Sequence, residues 1–444
     1  MGTREVPFSG LLSDIVDNRG KTCPTADSGI PLIATNCIRN ELLYPTYEKV
    51  RFVSPQTYST WFRGHPRPGD ILFVNKATPG RVSLVPDPVD FCIAQDMVAV
   101  RADPSKVYPR YLFAVLRSPV AQERVAQMHV GTLIPHFKKG DFDKLLLPLP
   151  SSDQQKFIGD LYFELSAKID INRRMNETLE AMARALFKSW FVDFEPMRAK
   201  AEGSELKLPH TVAELFPTTF QTSTLGEIPR GWSVQRIDEV AERVAMGPFG
   251  SSIKVDTFVP EGVPVISGQH LWGMTLLDSE FNFVTGAHAD RLLRSNVQRG
   301  DVIFTHAGSI GQVAMIPTTS KYERYVLSQR QFYMRCKTSK MLPLYVTLYF
   351  KTPEGQHRLL ANTSQVGVPS IAQPVSYLRQ LEVVVPPIDL LRQFDRIAGE
   401  LLSRCEVARR ESTTLAALRD TLLPKLISGE LRVKQAERAV EAVA

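Results

Sequence analysis

Nothing in the forty-three residues from Ser152 to Phe194 stops a helix, and a chain with so long a helix has few folds open to it. The start is written locally. Pro148 and Pro150 forbid continuing a strand ladder, and Ser152 with Gln155 three residues on reads as a capping box. Apolar side chains then recur at Ile158, Leu161, Leu165, Ile169, Met175, Leu179, Met182, Leu186 and Trp190, mostly in steps of three and four, with Asn172 as a polar member. That spacing is a coiled-coil-like seam, and Pro196 is expected to close it. At 1.5 Å per residue the helix would reach roughly 65 Å, about twice the width of a small domain. A rod of that length reads as a spacer.

A rod with a seam needs a partner. The same pattern returns from Asp389 as Leu390, Phe394, Ile397, Leu401, Cys405, Leu415, Leu418 and Leu422, again after a proline pair, Pro386 and Pro387. The runs LEAMARALFKSWF from Leu179 and LAALRDTLLPKLI from Leu415 align residue for residue, with Leu186 over Leu422. The chain therefore reads as containing itself twice.

The segments before each rod support this. Residues 1–150 read as short strands broken by turns, IPLIATNCI from Ile30, GDILFV from Gly69 and FCIAQDMVAV from Phe91, followed by a helix from Tyr111. Residues 225–386 repeat the order with VPVISGQHL, GDVIFT, YVLSQRQFYMRC and a helix from Tyr345. Gly69, Asp70, Phe73, Gly80, Val82 and Pro86 fall on Gly300, Asp301, Phe304, Gly311, Val313 and Pro317 at one spacing of 231 residues. Gln95, Tyr111 and Pro119 fall on Gln329, Tyr345 and Pro353 at a spacing of 234. Outside these anchors the halves differ strongly. The expected fold class is α/β: two pseudo-repeated mixed α/β domains separated by two long antiparallel coiled-coil helices. The expected parts are residues 1–150 (first domain), 151–198 (central helix), 199–224 (a linker rich in Pro, Ser and Thr), 225–386 (second domain) and 387–444 (second long helix and tail).

Two copies of one frame with different surfaces can read two different patches on an extended partner, and duplex DNA is the obvious such partner. The formal charge of +6 and pI near 9.0 suit it. Catalysis finds no footing. Gly20-Lys21-Thr22 resembles the end of a phosphate loop, but Ile15 stands where its first glycine belongs. Glu205 and Lys207 form a lone carboxylate-x-lysine in the linker. No Asn-Pro-Pro-aromatic or Asp-Pro-Pro-aromatic run and no glycine-rich cofactor loop is written, so neither methyl transfer in cis nor a cofactor is expected. The five scattered cysteines and eight histidines show no metal spacing. There is no basic-then-apolar leader and no apolar run of eighteen residues or more, so the expected setting is cytoplasmic with no membrane contact.

The sequence also resembles the specificity subunit of type I restriction-modification enzymes. The resemblance rests on LGEIPRGWSVQRIDEV from Leu225, GPFGSSIKVDTFVPEGVPVISGQHL from Gly247, GSIG at Gly308 to Gly311 and the two long helical repeats. It extends over essentially the whole chain. The first half has no clear LGEIPRGW-like opening and carries NKATPG from Asn75 where the second has HAGSIG. The resemblance implies two target-recognition domains, each reading one half of a split sequence in double-stranded DNA. It also implies long helices that dock two methyltransferase (modification) subunits and, in the full complex, restriction subunits. A coiled-coil adaptor whose two modules bind proteins, and an enzyme with an unrecognised site, are the competing readings.

Contact candidates lie in turns. In the first domain they are Arg63, His65, Arg67, Lys76, Arg81, Lys138 and Lys139, and in the second Ser251, Ser252, Lys254, Gln269, His270, His306, Ser309 and Gln312. Arg and Lys suit phosphates or guanine, whereas Gln, Ser and His suit base edges.

Overall fold

The computed structural model describes residues 4–18, 22–128, 135–364 and 367–441, and Gly20 and Lys21 of the phosphate-loop-like run lie outside these. The chain divides into two compact units, residues 1–174 with 408–444, and residues 175–407. The protein is mixed α/β, and each of its two long helices, Ser152–Phe191 and Ile388–Ser428, contributes residues to both units.

In the first unit, Leu12–Val16, Met97–Ala102, Ile71–Val74 and Val82–Leu84 form an antiparallel sheet in that order. A second sheet joins Arg51–Val53, Ile30–Ile33 and Cys92–Ile93, the last pair parallel. The opening strand Arg4–Pro7 pairs with Leu146–Leu149, so the chain enters through a strand although no opening motif is written there. Pro148 lies within that ladder opposite Glu5, tolerated because the pair is only two strands wide and leaves an edge for the missing N–H. The expected helix from Tyr111 is two, Pro109–Arg117 and Pro119–Met128, because Pro119 cannot donate to the preceding turn. Their core packs Phe8, Phe73, Phe113, Phe137 and Phe142 with Leu422, Leu423, Leu426 and Ile427 of the second long helix.

The second unit has a sheet in the order Ala241–Met246, Gln331–Cys336, Val302–Thr305, Val313–Met315. Another runs Asn282–Val284, Val263–Ile266, Arg324–Leu327, Asn296–Gln298, with its central pair parallel. Ser233–Arg236 pairs with Glu382–Val385. Phe187, Trp190 and Phe191 of the first long helix are buried in its core beside Tyr345 and Phe394. The segment expected as a linker is packed too: Val212 and Phe216 are buried, and Phe220–Ser223 forms a hairpin with Gly226–Pro229. Its apolar residues outweigh its proline-rich composition.

The long helices pack antiparallel within each unit, Asn172 near Ala408 in the first and Phe187 against Phe394 in the second. The capping pair is Ser151 with Gln154, one residue earlier than the sequence suggests. Gln155 is buried and accepts the Tyr108 N–H at 3.0 Å, fixing the start of the neighbouring helix. The first long helix ends at Phe191, and Phe194, with φ +56°, turns the chain into the short helix Glu195–Ala201 that begins with Pro196. Met175 and Met182, expected in the seam, are 41% and 51% exposed, while Ala183 and Phe187 are buried. A straight helix drifts away from a 3.5-residue repeat, so the covered stripe moves off a seam extrapolated from its first turns. Among the described residues no helix is long and apolar enough to cross a membrane.

Candidate nucleic-acid interface

The turns that carry the candidates are held by buried polar pairs. Asp70, 2% exposed, accepts two bonds from Arg101 at 2.8 Å each, and Asp301, 1% exposed, accepts two from Arg335 at 2.8 and 2.7 Å. Each carboxylate also takes a backbone N–H, from Arg67 and from Gln298. Gly80 (φ +87°) and Gly311 (φ +83°) close the following turns, and their carbonyls accept from Gln122 and Gln356 at 2.8 and 2.9 Å. The positive φ at Gly311 is what calls for glycine there, since a side chain is strained in that conformation whatever the space around it.

In the first unit, Arg63, Arg67, Lys76, Arg81 and Lys138 are exposed. Asn18 ties the 63–65 turn down by accepting the N–H groups of Arg63 and Gly64, and its neighbour Asp17 pairs with Lys139 at 3.7 Å. The backbone of Lys76 pairs with His136, two residues before Lys138, in an isolated antiparallel bridge. Lys76 also approaches Asp96 at 4.0 Å. Arg81 lies apart and reaches the Ile38 carbonyl at 3.5 Å. His65 is half-buried and stacked on Tyr58 with ring centroids 3.8 Å apart.

In the second unit an open cleft is lined by residues 267–269, Trp272, Thr305, Ala307, Ser309, Gln312 and residues 328–331. Gln269 and Ser309 face it from exposed positions. Gln312 spans it, donating to the Gly268 carbonyl and accepting from the Thr305 hydroxyl, both at 3.1 Å. His306 is partly buried, its Nε2 3.1 Å from the Gln329 carbonyl. Lys254 is exposed, and the Ser252 carbonyl accepts from His288 Nε2 at 2.7 Å. The side chain of Ser251 lies outside the described residues.

His270 must be corrected. It is 1% exposed, its Nδ1 accepts the Ser267 N–H at 2.9 Å, its Nε2 faces the Glu280 carbonyl and its ring stacks on Phe281, so it supports the loop from below instead of facing a ligand. Burial pushes the imidazoles of His65, His270 and His306 below their ordinary range, toward the neutral form. Burial pushes the Asp301 carboxyl up, with Arg335 pulling against it. Among the described residues no three His, Cys, Asp or Glu side chains converge as metal ligands. The arrangement offers hydrogen-bond donors, acceptors and cations on fixed turns.

A sequence model of the type I restriction modification DNA specificity domain matches residues 21–181. The type I restriction enzyme HindI specificity subunit of Haemophilus influenzae is 24% identical over 407 residues, covering 82% of this chain and 86% of that one. The MjaIX specificity subunit of Methanocaldococcus jannaschii is 22% identical over 377 residues, covering 83% and 78%. Over most of its length the chain is thus similar to type I specificity subunits. A crystal structure of a type I restriction-modification S subunit from M. genitalium shares the fold, with a TM-score of 0.52, 15% identity and 95% of each chain covered. The domain match falls on the half whose opening motif is missing and begins after the strand Arg4–Pro7.

Several surface residues of the chain escape sequence reasoning. Arg330 and the 69%-exposed Trp272 line the cleft, and Phe249 and Val255 are 82% and 85% exposed beside Ser252 and Lys254. Their signal was faint: large side chains between strand-like runs, in no motif.

Proposed function

We propose that this chain is the non-catalytic DNA-recognition subunit of a type I restriction-modification complex. In this reading residues 1–150 and 225–386 are two copies of one target-recognition domain, each reading one half of a split target in double-stranded DNA. The long helices dock methyltransferase subunits, two in number, and restriction subunits join in the full complex, which works in the cytoplasm. The observation that carries the reading is one buried frame under two unlike surfaces. The Asp–Arg pair, the glycine turn and the glutamine that holds it recur in both units, while Lys76 and Asp96 stand on one surface and Ala307 and Arg330 on the other. Selection for folding alone would not require the surfaces to diverge; reading different bases would.

The test is binding of the complex with modification subunits to duplexes that do and do not carry the target, over a range of salt. A specificity subunit shows sequence preference and an affinity that falls steeply as salt rises, because phosphate contacts release counterions. Binding that ignores both sequence and salt would refute the reading.

A further inference from the structure

Arg330 is the one charged residue among those lining the cleft of the second unit. It is exposed, and its guanidinium has no ion-pair or hydrogen-bond partner among the described residues. Yet it is not loosely placed. Its Nη1 lies only 3.2 Å from where a Cβ of Gly308 would stand and its Cδ 3.9 Å, so the side chain crosses the bare face of a glycine held at φ +82°. Its own backbone is pinned, the Arg330 carbonyl accepting the His306 N–H at 3.0 Å. Around it stand neutral donors and acceptors, Gln269, Ser309 and Gln329.

The first unit has the same backbone node with the opposite charge. The Asn75 N–H donates to the Asp96 carbonyl at 2.9 Å, as the His306 N–H does to Arg330. Asn75 and His306 are related by the spacing of 231, and Asp96 and Arg330 by the spacing of 234 that relates Gln95 to Gln329. Asp96 is approached by Lys76 at 4.0 Å, whereas Ala307 stands at the position of Lys76 in the second unit.

Resting on the DNA-recognition reading, we propose that positions 96 and 330 are the corresponding base-reading positions of the two domains: Arg330 reads a guanine in one half-site, and Asp96 accepts from the amino group of a cytosine in the other. A cation that merely neutralises phosphate gains nothing from being held in a polar recess. A planar fork laid over a glycine is preorganised for the two acceptors, O6 and N7, of guanine in the major groove, and a carboxylate suits the cytosine N4 amino group.

The experiment uses the complete modification complex on a library of randomised targets, reading the methylated motif and the salt dependence of binding for wild type, Arg330→Gln, Arg330→Lys and Asp96→Asn. Arg330→Gln should lower discrimination for guanine at one position of one half-site by about one to two orders of magnitude and leave the other half-site unchanged. Arg330→Lys keeps the charge but loses the fork, so it should relax the same position while keeping the salt slope. Asp96→Asn should relax a position in the opposite half-site. An unchanged motif in Arg330→Gln with uniformly weaker binding and a salt slope reduced by about one would make Arg330 a phosphate contact and overturn the proposal. Full selectivity in Arg330→Lys would overturn it as well, and if Arg330→Gln does not fold, Arg330→Lys and Asp96→Asn decide the matter. A wild-type complex without sequence preference would instead sink the recognition reading itself.

Discussion

Gly159 and Gly399 lie inside the two long helices, where backbone entropy predicts the same gain from alanine at both positions while packing predicts opposite signs. A Cβ at Gly399 meets nothing within 4 Å, so Gly399→Ala should recover the helix-interior penalty of glycine, about 0.5–1 kcal/mol. A Cβ at Gly159 would stand 2.5 Å from Tyr111 N, 2.8 Å from Arg110 C and 3.0 Å from Tyr108 Cδ1. Two of these are backbone atoms that cannot rotate aside. They belong to the start of helix Pro109–Arg117, which is docked there by Gln155 on the Tyr108 N–H and by Asp160 on Tyr108 Oη and Arg110 Nη1, both at 2.7 Å. Relieving the overlap means moving that helix or the rod, a cost of about 2–4 kcal/mol that exceeds the propensity gain and leaves a net loss of about 1–3 kcal/mol. Native-state hydrogen exchange separates the effects by position. Amides around residue 399 should open about fivefold less often in Gly399→Ala, while those of residues 109–117 and 155–165 lose protection in Gly159→Ala. Equal gains at both positions would show that the close helix contact does not exist.

Arg335→Met should destabilise the second unit by about 3 kcal/mol, since it leaves the buried Asp301 carboxylate without its cation, and pairing it with Asp301→Leu should restore most of the loss in denaturant unfolding. Because burial raises the Asp301 carboxyl in the folded state, the stability that this one group contributes is present below its unfolded value and lost as pH rises through the raised one, so the deficit of Arg335→Met should narrow as pH falls toward the carboxylate range. The lowered pKa of buried His270 works the other way: below its ordinary 6.5 the unfolded chain takes up a proton that the folded one refuses, so stability falls with pH there, and His270→Gln should flatten that part of the profile. Replacing residues 225–386 with the matching domain of a type I specificity subunit should change one half-site only, and a motif altered in both halves would contradict independent reading.

The mixed α/β class and the long helices were legible because they rest on local, repeated chemistry. Gly69 and Gly300 take φ +82° and +85° in matching turns, and the aspartates that follow them are buried against arginines 234 residues apart. The candidate site was legible only as a set of turns. Sequence spacing says that His270 follows a strand, but not that Phe281 and the Glu280 carbonyl cover its ring from another segment. Met175 and Met182 fit the seam by counting and lie outside it, since their cover depends on what the partner helix presents. Arg330 sits in no motif, and its significance emerges only when the His306 and Asn75 backbone bonds show that it and Asp96 occupy the same node.

The central claim, that this chain selects the DNA sequence on which its complex acts, is tested most directly by mapping methylated bases in the host genome with and without the chain. The account predicts a split motif, two short defined halves separated by a fixed number of unspecified positions, that is methylated in the parent and unmodified in the deletion strain. It further predicts that restoring the chain restores that motif and no other. A methylation map that is the same with and without the chain would contradict it.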